Sequence, residues 1–305
     1  LYHRLEKSTF LPAVVAQARH IPLLVEVNSD LRAEPFVQQA SWPQRKFMEW
    51  SERTNYRCAN HLIVVAEGIK HSLCTICGVP EEKVSVIPNG TDLDTFRPLE
   101  REQCCRQLGL DPAKRYVAFS GTFQSWQGLE TIVQSAVYLQ KRHPEAMYLL
   151  VGDGPERAKI EAQMRSLGVS ASFLLPGWRP PEQTALYLGA SDVCLAPYTR
   201  DAAAATSTSQ NTRGAPMRGS PLKIYTYLAA GRPVVASDFA EAGLLVEELG
   251  AGIAVSPEHP ERLAEGISRI LAYSTEAAKM GQIARQAAEQ RYGWRAVAER
   301  IADIC

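Results

Sequence analysis

The feature that most constrains this chain is a rhythm. Short β-rich runs alternate with helical patterns along nearly its whole length, the order that parallel α/β layers require. Strand-like runs fall at 22–27 (PLLVEV), 61–65 (HLIVV) and 83–87 (KVSVI), with a helical stretch at 11–19 before them and others at 36–58 and 66–77 between them. Asn89 and Gly90 then mark a strong turn, and 89–98 reads as a hinge. A second series follows, with strands at 116–120, 147–151, 172–175, 193–197, 233–236 and 251–255. Helices are expected at 129–142, 157–167, 182–190, 222–230 and 260–273, and one long helix over 275–304.

A length of 305 residues suggests about two domains, and 46% hydrophobic residues supply more than one core. The 33 basic and 33 acidic residues cancel, which argues against a protein that holds nucleic acid by its overall field. No apolar run reaches the roughly 18 residues that would span a bilayer. The basic pair Arg45 and Lys46 is a candidate for peripheral membrane contact. Seven cysteines lack a metal-site spacing, and the lone pair Cys74 and Cys77 reads as two residues on one helix face. Free thiols suit a reducing compartment, so a cytoplasmic location is expected, at the inner face of the plasma membrane if membranes are met at all. The chain opens at Leu1 without an initiator methionine or signal-peptide pattern, and reads as a fragment.

Residues 199–219 break the rhythm. This stretch is rich in Ala, Ser, Thr and Gly, lacks an apolar period, and follows a strand, so it emerges where open α/β sheets bind ligands. A surface insertion is the competing reading. Glycines close the strand ends at Gly121, at Gly152 with Gly154, and at Gly177, where a ligand could approach the backbone. Gly219, Ser220, Pro221 and Leu222 open a helix whose free N–H groups and positive dipole end form a diphosphate seat. With neither a G-x-G-x-x-G nor a P-loop motif present, a nucleotide would be held in another manner.

Four motifs in order, IPNGTD at 87–92 with Phe96 and Pro98, VGDGP at 151–155, LPGW at 175–178 and YTYLAAGRPVVAS at 225–237, resemble the group 1, or family 4, retaining glycosyltransferases. The resemblance covers nearly the whole chain. It implies an α/β protein of GT-B type: two Rossmann-like domains with parallel sheets facing a cleft. A partial acceptor-side domain would occupy 1–95, with roughly its first half absent. A nucleotide-sugar domain would occupy 96–285, and a terminal helix at 286–305 would pack back toward the first domain.

Carried over position by position, the resemblance exposes departures. The family's Glu-x7-Glu pair falls on Arg218 and Thr226, its basic pair on Thr122 and Gln127, and a catalytic-site histidine on Asn28. A subgroup with S-P-L-K-I-Y-x-Y-L in this place looks closer. The charge for a diphosphate must then come from Lys223 first, with Arg218 and Arg213 behind it. Thr226 can still bond a ribose hydroxyl. Trp178 stands where the family places the nucleobase, with core capping as the competing role; Trp126 could line the sugar pocket or fill the core. Asp153 reads as a cap of its own turn, and Glu26 beside Asn28 as structural.

The resemblance implies transfer of a sugar from a nucleotide-diphosphate donor to a glycan, lipid-linked or small-molecule hydroxyl, without cofactor or metal. Catalytic roles would fall on Lys223 and Asn28, and donor binding on Gly121, Thr122, Trp178, Arg218, Gly219, Ser220, Pro221, Leu222 and Thr226. Two rivals share the fold. A degenerate relative would bind the nucleotide-sugar without transferring it. A nucleotide-sugar 2-epimerase would need acid and base groups that Asn28 and Thr226 do not supply.

Overall fold

The computed structural model describes residues 1–6, 8–29, 37, 39–200 and 221–304. Two parallel sheets organise it. The first holds β1 (Tyr2–Arg4), β2 (Leu24–Val27), β3 (His61–Val64) and β4 (Val84–Val86) in spatial order of the sequence. Helices α1 (Leu11–Arg19), α2 (Trp42–Cys58) and α3 (Glu67–Cys77) make the crossovers. One face of this sheet, with Val25, Val27, Leu62 and Val64, packs on these three helices through residues such as Ala13, Tyr56 and Ile69. The long helix expected from residue 36 is regular from Trp42. Pro43 and a reciprocal Ser41–Gln44 capping box fix that start.

The second sheet has six strands: β5 (Arg115–Ser120), β6 (Ala146–Val151), β7 (Phe173–Gly177), β8 (Val193–Ala196), β9 (Val234–Ser237) and β10 (Gly252–Val255). Their order is β10-β9-β8-β5-β6-β7, all parallel. This is the doubly wound arrangement, in which the winding reverses between β5 and β8. Along β5, Tyr116 and Ala118 enter the core on one face and Val117 and Phe119 the core on the other, so both faces are covered. α4 (Arg101–Leu108) leads into β5; the crossover helices are α5 (Leu129–Leu139), α6 (Arg157–Ser166), α7 (Pro181–Ala190), α8 (Leu222–Ala229) and α9 (Ala240–Leu249), followed by α10 (Pro260–Ala272).

Three elements were not anticipated. β1 is only three residues long, too short for a periodic signal. α4 is polar apart from Cys104 and Cys105, which are both buried, and Leu108 at its end. In α9, Gly243 masks the pattern; a Cβ there would come within 2.7 Å of Asp238, so the helix lies directly on the end of β9.

The single long terminal helix is corrected. It is α11 (Ser274–Ala287), a π turn at Ala288–Tyr292, and α12 (Trp294–Ala302). The break is Gly293, whose ψ of 143° is extended. Its neighbours bond across to the hinge: Thr91 N–H donates to the Tyr292 carbonyl at 2.7 Å, and Trp294 N–H to the Thr91 carbonyl at 3.3 Å. Beyond it, α12 lays Val297 and Ile301 on Leu24, Ile63 and Ile87, the second face of the first sheet. The rest of the hinge is held by cations: Arg285 donates to the carbonyls of Leu93, Phe96 and Ala229, and the half-buried Arg232 to those of Leu99 and Gly189.

Gly128 has φ of 72°, and an added Cβ would stand 1.7 Å from the Pro197 carbonyl oxygen. Gly128→Ala is expected to destabilise the chain by roughly 2–5 kcal/mol, through left-handed strain and backbone collision. Gly168, at φ 70° with nothing nearby, is the control; Gly168→Ala should cost only about 1 kcal/mol. Urea unfolding of the two variants checks the contrast.

Candidate functional site

The site is built from the point where the winding reverses. β5 ends at Ser120, β8 delivers Pro197 and Tyr198 alongside, and α8 begins above them. Tyr227, fully buried on α8, ties these pieces together: Ser120 N–H donates to its hydroxyl at 2.8 Å. Burial pushes the Tyr227 phenol well above its ordinary pKa, so it stays neutral and serves as a clamp.

Lys223 lies in the first turn of α8, and its side chain runs down into this corner. The residue is half-buried, yet its ammonium is enclosed. Nζ donates to Gln127 Oε1 and lies 3.9 Å from the Phe119 ring centre and 5.1 Å from that of Tyr198. Among the described residues no carboxylate pairs with it. Aromatic faces and an amide oxygen attract a cation but do not neutralise it. Burial accordingly holds the Lys223 pKa well below its ordinary value. The same Nζ would stand 3.3 Å from a Cβ at Gly121, so glycine leaves the approach to the ammonium open.

A cavity of about 270 Å³ opens at this corner, lined by Phe96, Ser120, Trp178, Arg179, Pro181, Thr184, Lys223, Thr226 and Tyr227. The structure thus brings Trp178, Lys223 and Thr226 around one space, with Gly121 beside it. Trp178 is 70% exposed, which rules out the core-capping role. Thr226 donates its hydroxyl to the Leu222 carbonyl at 3.2 Å, which leaves its oxygen lone pairs toward other donors. Pro221 is buried and Leu222 is 52% exposed, so apolar side chains do not plug the helix start. Thr122 is exposed on the loop after β5. Arg213, Arg218, Gly219 and Ser220 lie outside the described residues. Asn28 sits just past β2 on the other sheet, its amide donating to Glu26, which also takes the Tyr2 hydroxyl.

Two glycine readings are corrected. An added Cβ at Gly152 would meet the Gly121 carbonyl at 1.9 Å, and one at Gly154 would meet the Phe123 backbone. These glycines let the loops after β5 and β6 pack on each other. Asp153 accepts from Gly154 N–H at 2.8 Å, as a turn cap does. Arg179 carries no signal in the sequence, and Tyr227 enters there only as part of the 225–237 motif, with no role that can be read before strand order is known. Among the described residues, no cluster of three metal-ligating side chains occurs, and no helix is long and apolar enough to cross a membrane.

The profile of the glycosyl transferases group 1 family matches residues 100–287, and that of glycosyltransferase family 4 matches residues 6–95. The chain belongs to the group 1 glycosyltransferases. It is 27% identical over 224 residues to a D-inositol 3-phosphate glycosyltransferase of Segniliparus rotundus, covering 72% of this chain and 46% of that protein. An alpha-D-kanosaminyltransferase of Streptomyces kanamyceticus is 20% identical over 97% of this chain and 73% of its own length. The chain spans about half the length of several curated relatives it matches. Anabaena HepE in complex with UDP superposes with a TM-score of 0.76 at 18% identity, over 99% of this chain and 78% of that one. A sucrose-phosphate synthase of Thermosynechococcus elongatus gives 0.71 at 23% identity, over 99% and 72%. These neighbours confirm the GT-B fold.

The buried ammonium has a measurable cost in this glycosyltransferase. Between the lowered pKa and the ordinary 10.5, the folded chain binds fewer protons than the unfolded one, so Lys223 makes stability rise with pH across that window. Below the window, Lys223→Met removes the buried charge and is expected to stabilise the free protein by about 1–4 kcal/mol. Thermal unfolding over a pH series should show both the gain and the loss of that pH slope.

Proposed function

We propose that this chain is a retaining, metal-independent glycosyltransferase that moves a sugar from a nucleotide-diphosphate donor to a hydroxyl of a glycan, lipid-linked or small-molecule acceptor. The observation that carries the reading is the enclosed, uncompensated ammonium of Lys223, in the first turn of a helix at the winding reversal. A diphosphate placed there would meet that ammonium and the N–H groups of the helix start, and its charge would favour the protonated form of the lysine. The base would stack on exposed Trp178, and the ribose would reach the Thr226 hydroxyl. Anabaena HepE, solved with UDP-glucose, supports a donor of this kind. A relative named for D-inositol 3-phosphate supports a hydroxyl acceptor.

In the proposed reaction the sugar's anomeric carbon passes through an oxocarbenium-like state while negative charge gathers on the departing diphosphate. Lys223 and the α8 amides stabilise that charge where it grows, as an oxyanion hole does. Pro221, Leu222 and the segment holding Arg218, Gly219 and Ser220 would frame the diphosphate, and Gly121 and Thr122 would border the sugar. Asn28 cannot carry a proton near neutrality, so its proposed part is to bond the sugar or acceptor from the other domain. The reaction would run on the cytoplasmic side, where free thiols such as the buried Cys104 and Cys194 persist.

Neutral Gln127 and Thr226 favour one competing reading, a protein that binds the donor without transferring it. Titration calorimetry with UDP tests the shared part. Binding is expected to weaken about tenfold or more in Lys223→Met, and by about 1–3 kcal/mol in Trp178→Ala if the base stacks there. Affinity should also fall as pH rises past the lowered Lys223 pKa, since a neutral amine must take up a proton to hold the anion. Turnover of labelled UDP-sugars, with the product anomer read by NMR, separates the readings: a retained configuration supports transfer, and tight binding without product supports the binding protein.

A further inference from the structure

One set of side chains, away from the donor corner, is wired as a hydroxyl and its base. His143 lies in the loop between α5 and β6, and Glu145 immediately precedes β6. His143 Nε2 is 2.9 Å from Ser268 Oγ on α10, and its Nδ1 is 3.2 Å from Glu145 Oε1. Ser268, His143 and Glu145 therefore form one hydrogen-bonded line. β6 begins beside this line, whereas the donor corner stands at the far ends of β5 and β8. The two places lie on opposite edges of the second sheet.

The backbone fixes the line at several points. His143 N–H donates to the Leu139 carbonyl at 2.8 Å, and the His143 carbonyl accepts from Ala146 N–H at 3.0 Å. Arg115 N–H reaches the Glu145 carbonyl at 3.3 Å, which ties that residue to the start of β5. Glu145's own backbone N–H, helped by His143 and Arg115, holds its carboxyl below the usual carboxylate range. An ionised carboxylate only accepts, so the proton of the neutral ring sits on Nδ1. Nε2 then presents its lone pair, and the Ser268 hydroxyl donates to it. α10 has other anchors: Leu263, Ile267 and Ile270 are buried in the core, and Tyr138 on α5 donates its hydroxyl to Glu261 at 2.6 Å. Ser268 is half-buried and 15% of the His143 side chain is exposed, so the hydroxyl can be reached from outside.

A hydroxyl, a base and a carboxylate that orients the base are the parts by which serine becomes a nucleophile. Inside α10 the amides of Ser268 and Arg269 are taken by the helix and cannot hold a developing oxyanion. That restricts the chemistry to acyl donors that arrive activated. We propose that Ser268 is an acylation site, taking an acyl group from an activated ester with His143 as base and Glu145 as positioning residue. Ser268 Oγ bonds the carbonyl carbon as the bond to the leaving group breaks. The Oγ proton passes to His143 Nε2 and then to the departing oxygen or sulfur. Glu145 stays ionised and steadies the imidazolium between these steps. The assignment is independent of the donor site.

Incubation of the full chain with p-nitrophenyl acetate, followed by peptide mass spectrometry, tests it. An acetyl group is expected on Ser268, while the exposed Ser274 at the start of α11, which no described histidine bonds, stays unmodified. This comparison is made within the parent chain and does not depend on the folding of any variant. Acetylation of surface lysines supplies the reference rate for each chain. His143→Gln should slow acetylation of Ser268 about a hundredfold or more, and Glu145→Gln about tenfold or more. Lysine labelling should be unchanged in both, a split that a merely structural bond would not produce. A Ser268 that stays unlabelled in the parent, labels no faster than Ser274, or labels equally fast in His143→Gln would overturn the proposal.

Discussion

An ammonium enclosed in protein without a carboxylate is an incomplete interaction, and the C-terminal domain is arranged around one. Lys223 reaches its place because α8 starts above the gap between β5 and β8, the one gap in this sheet where the two windings part. Tyr227 clamps α8 to the end of β5, and Gly121 keeps side-chain bulk away from the amine. A carboxylate partner would have made the free protein more stable and the corner less receptive to anions. Phe119, Tyr198 and Gln127 take an intermediate course: they hold the cation in position and leave its charge unanswered.

The fold was legible because its signal is repetitive. Each strand of the second sheet stood out as a short apolar run between helical stretches, and the family motifs fixed their order. Elements that lack repetition were lost. α4 turns only two adjacent cysteines and Leu108 inward, and β1 is a three-residue edge strand. The terminal helix kept its pattern through the π turn, so only the Gly293 backbone revealed the break. Periodicity reports which faces are buried; it does not report where the axis bends.

The site was legible in its charge and not in its surroundings. Lys223 could be singled out because other cations were missing from the expected positions. Its neighbours come from residues 119, 127 and 198, which only the reversal of strand order brings together. Strand-end glycines were misleading for a related reason. Glycine permits any close approach, whether by ligand or by backbone, and at Gly152 and Gly154 the visitor is the loop after β5. Gly121 alone among these borders the cation.

The joint between the two domains has its own logic. The chain passes between them twice, once at Thr91 and once at Gly293, and these passages bond directly to each other. Arg285 and Arg232 then lock the ascending segment to the second domain, while α12 belongs by contact to the first. Paired passages of this kind join the halves along one line instead of at two separate points. The carboxyl-terminal helix packs on the opposite half of the molecule from the one it follows, so the first sheet owes part of its apolar cover to residues from beyond the second sheet.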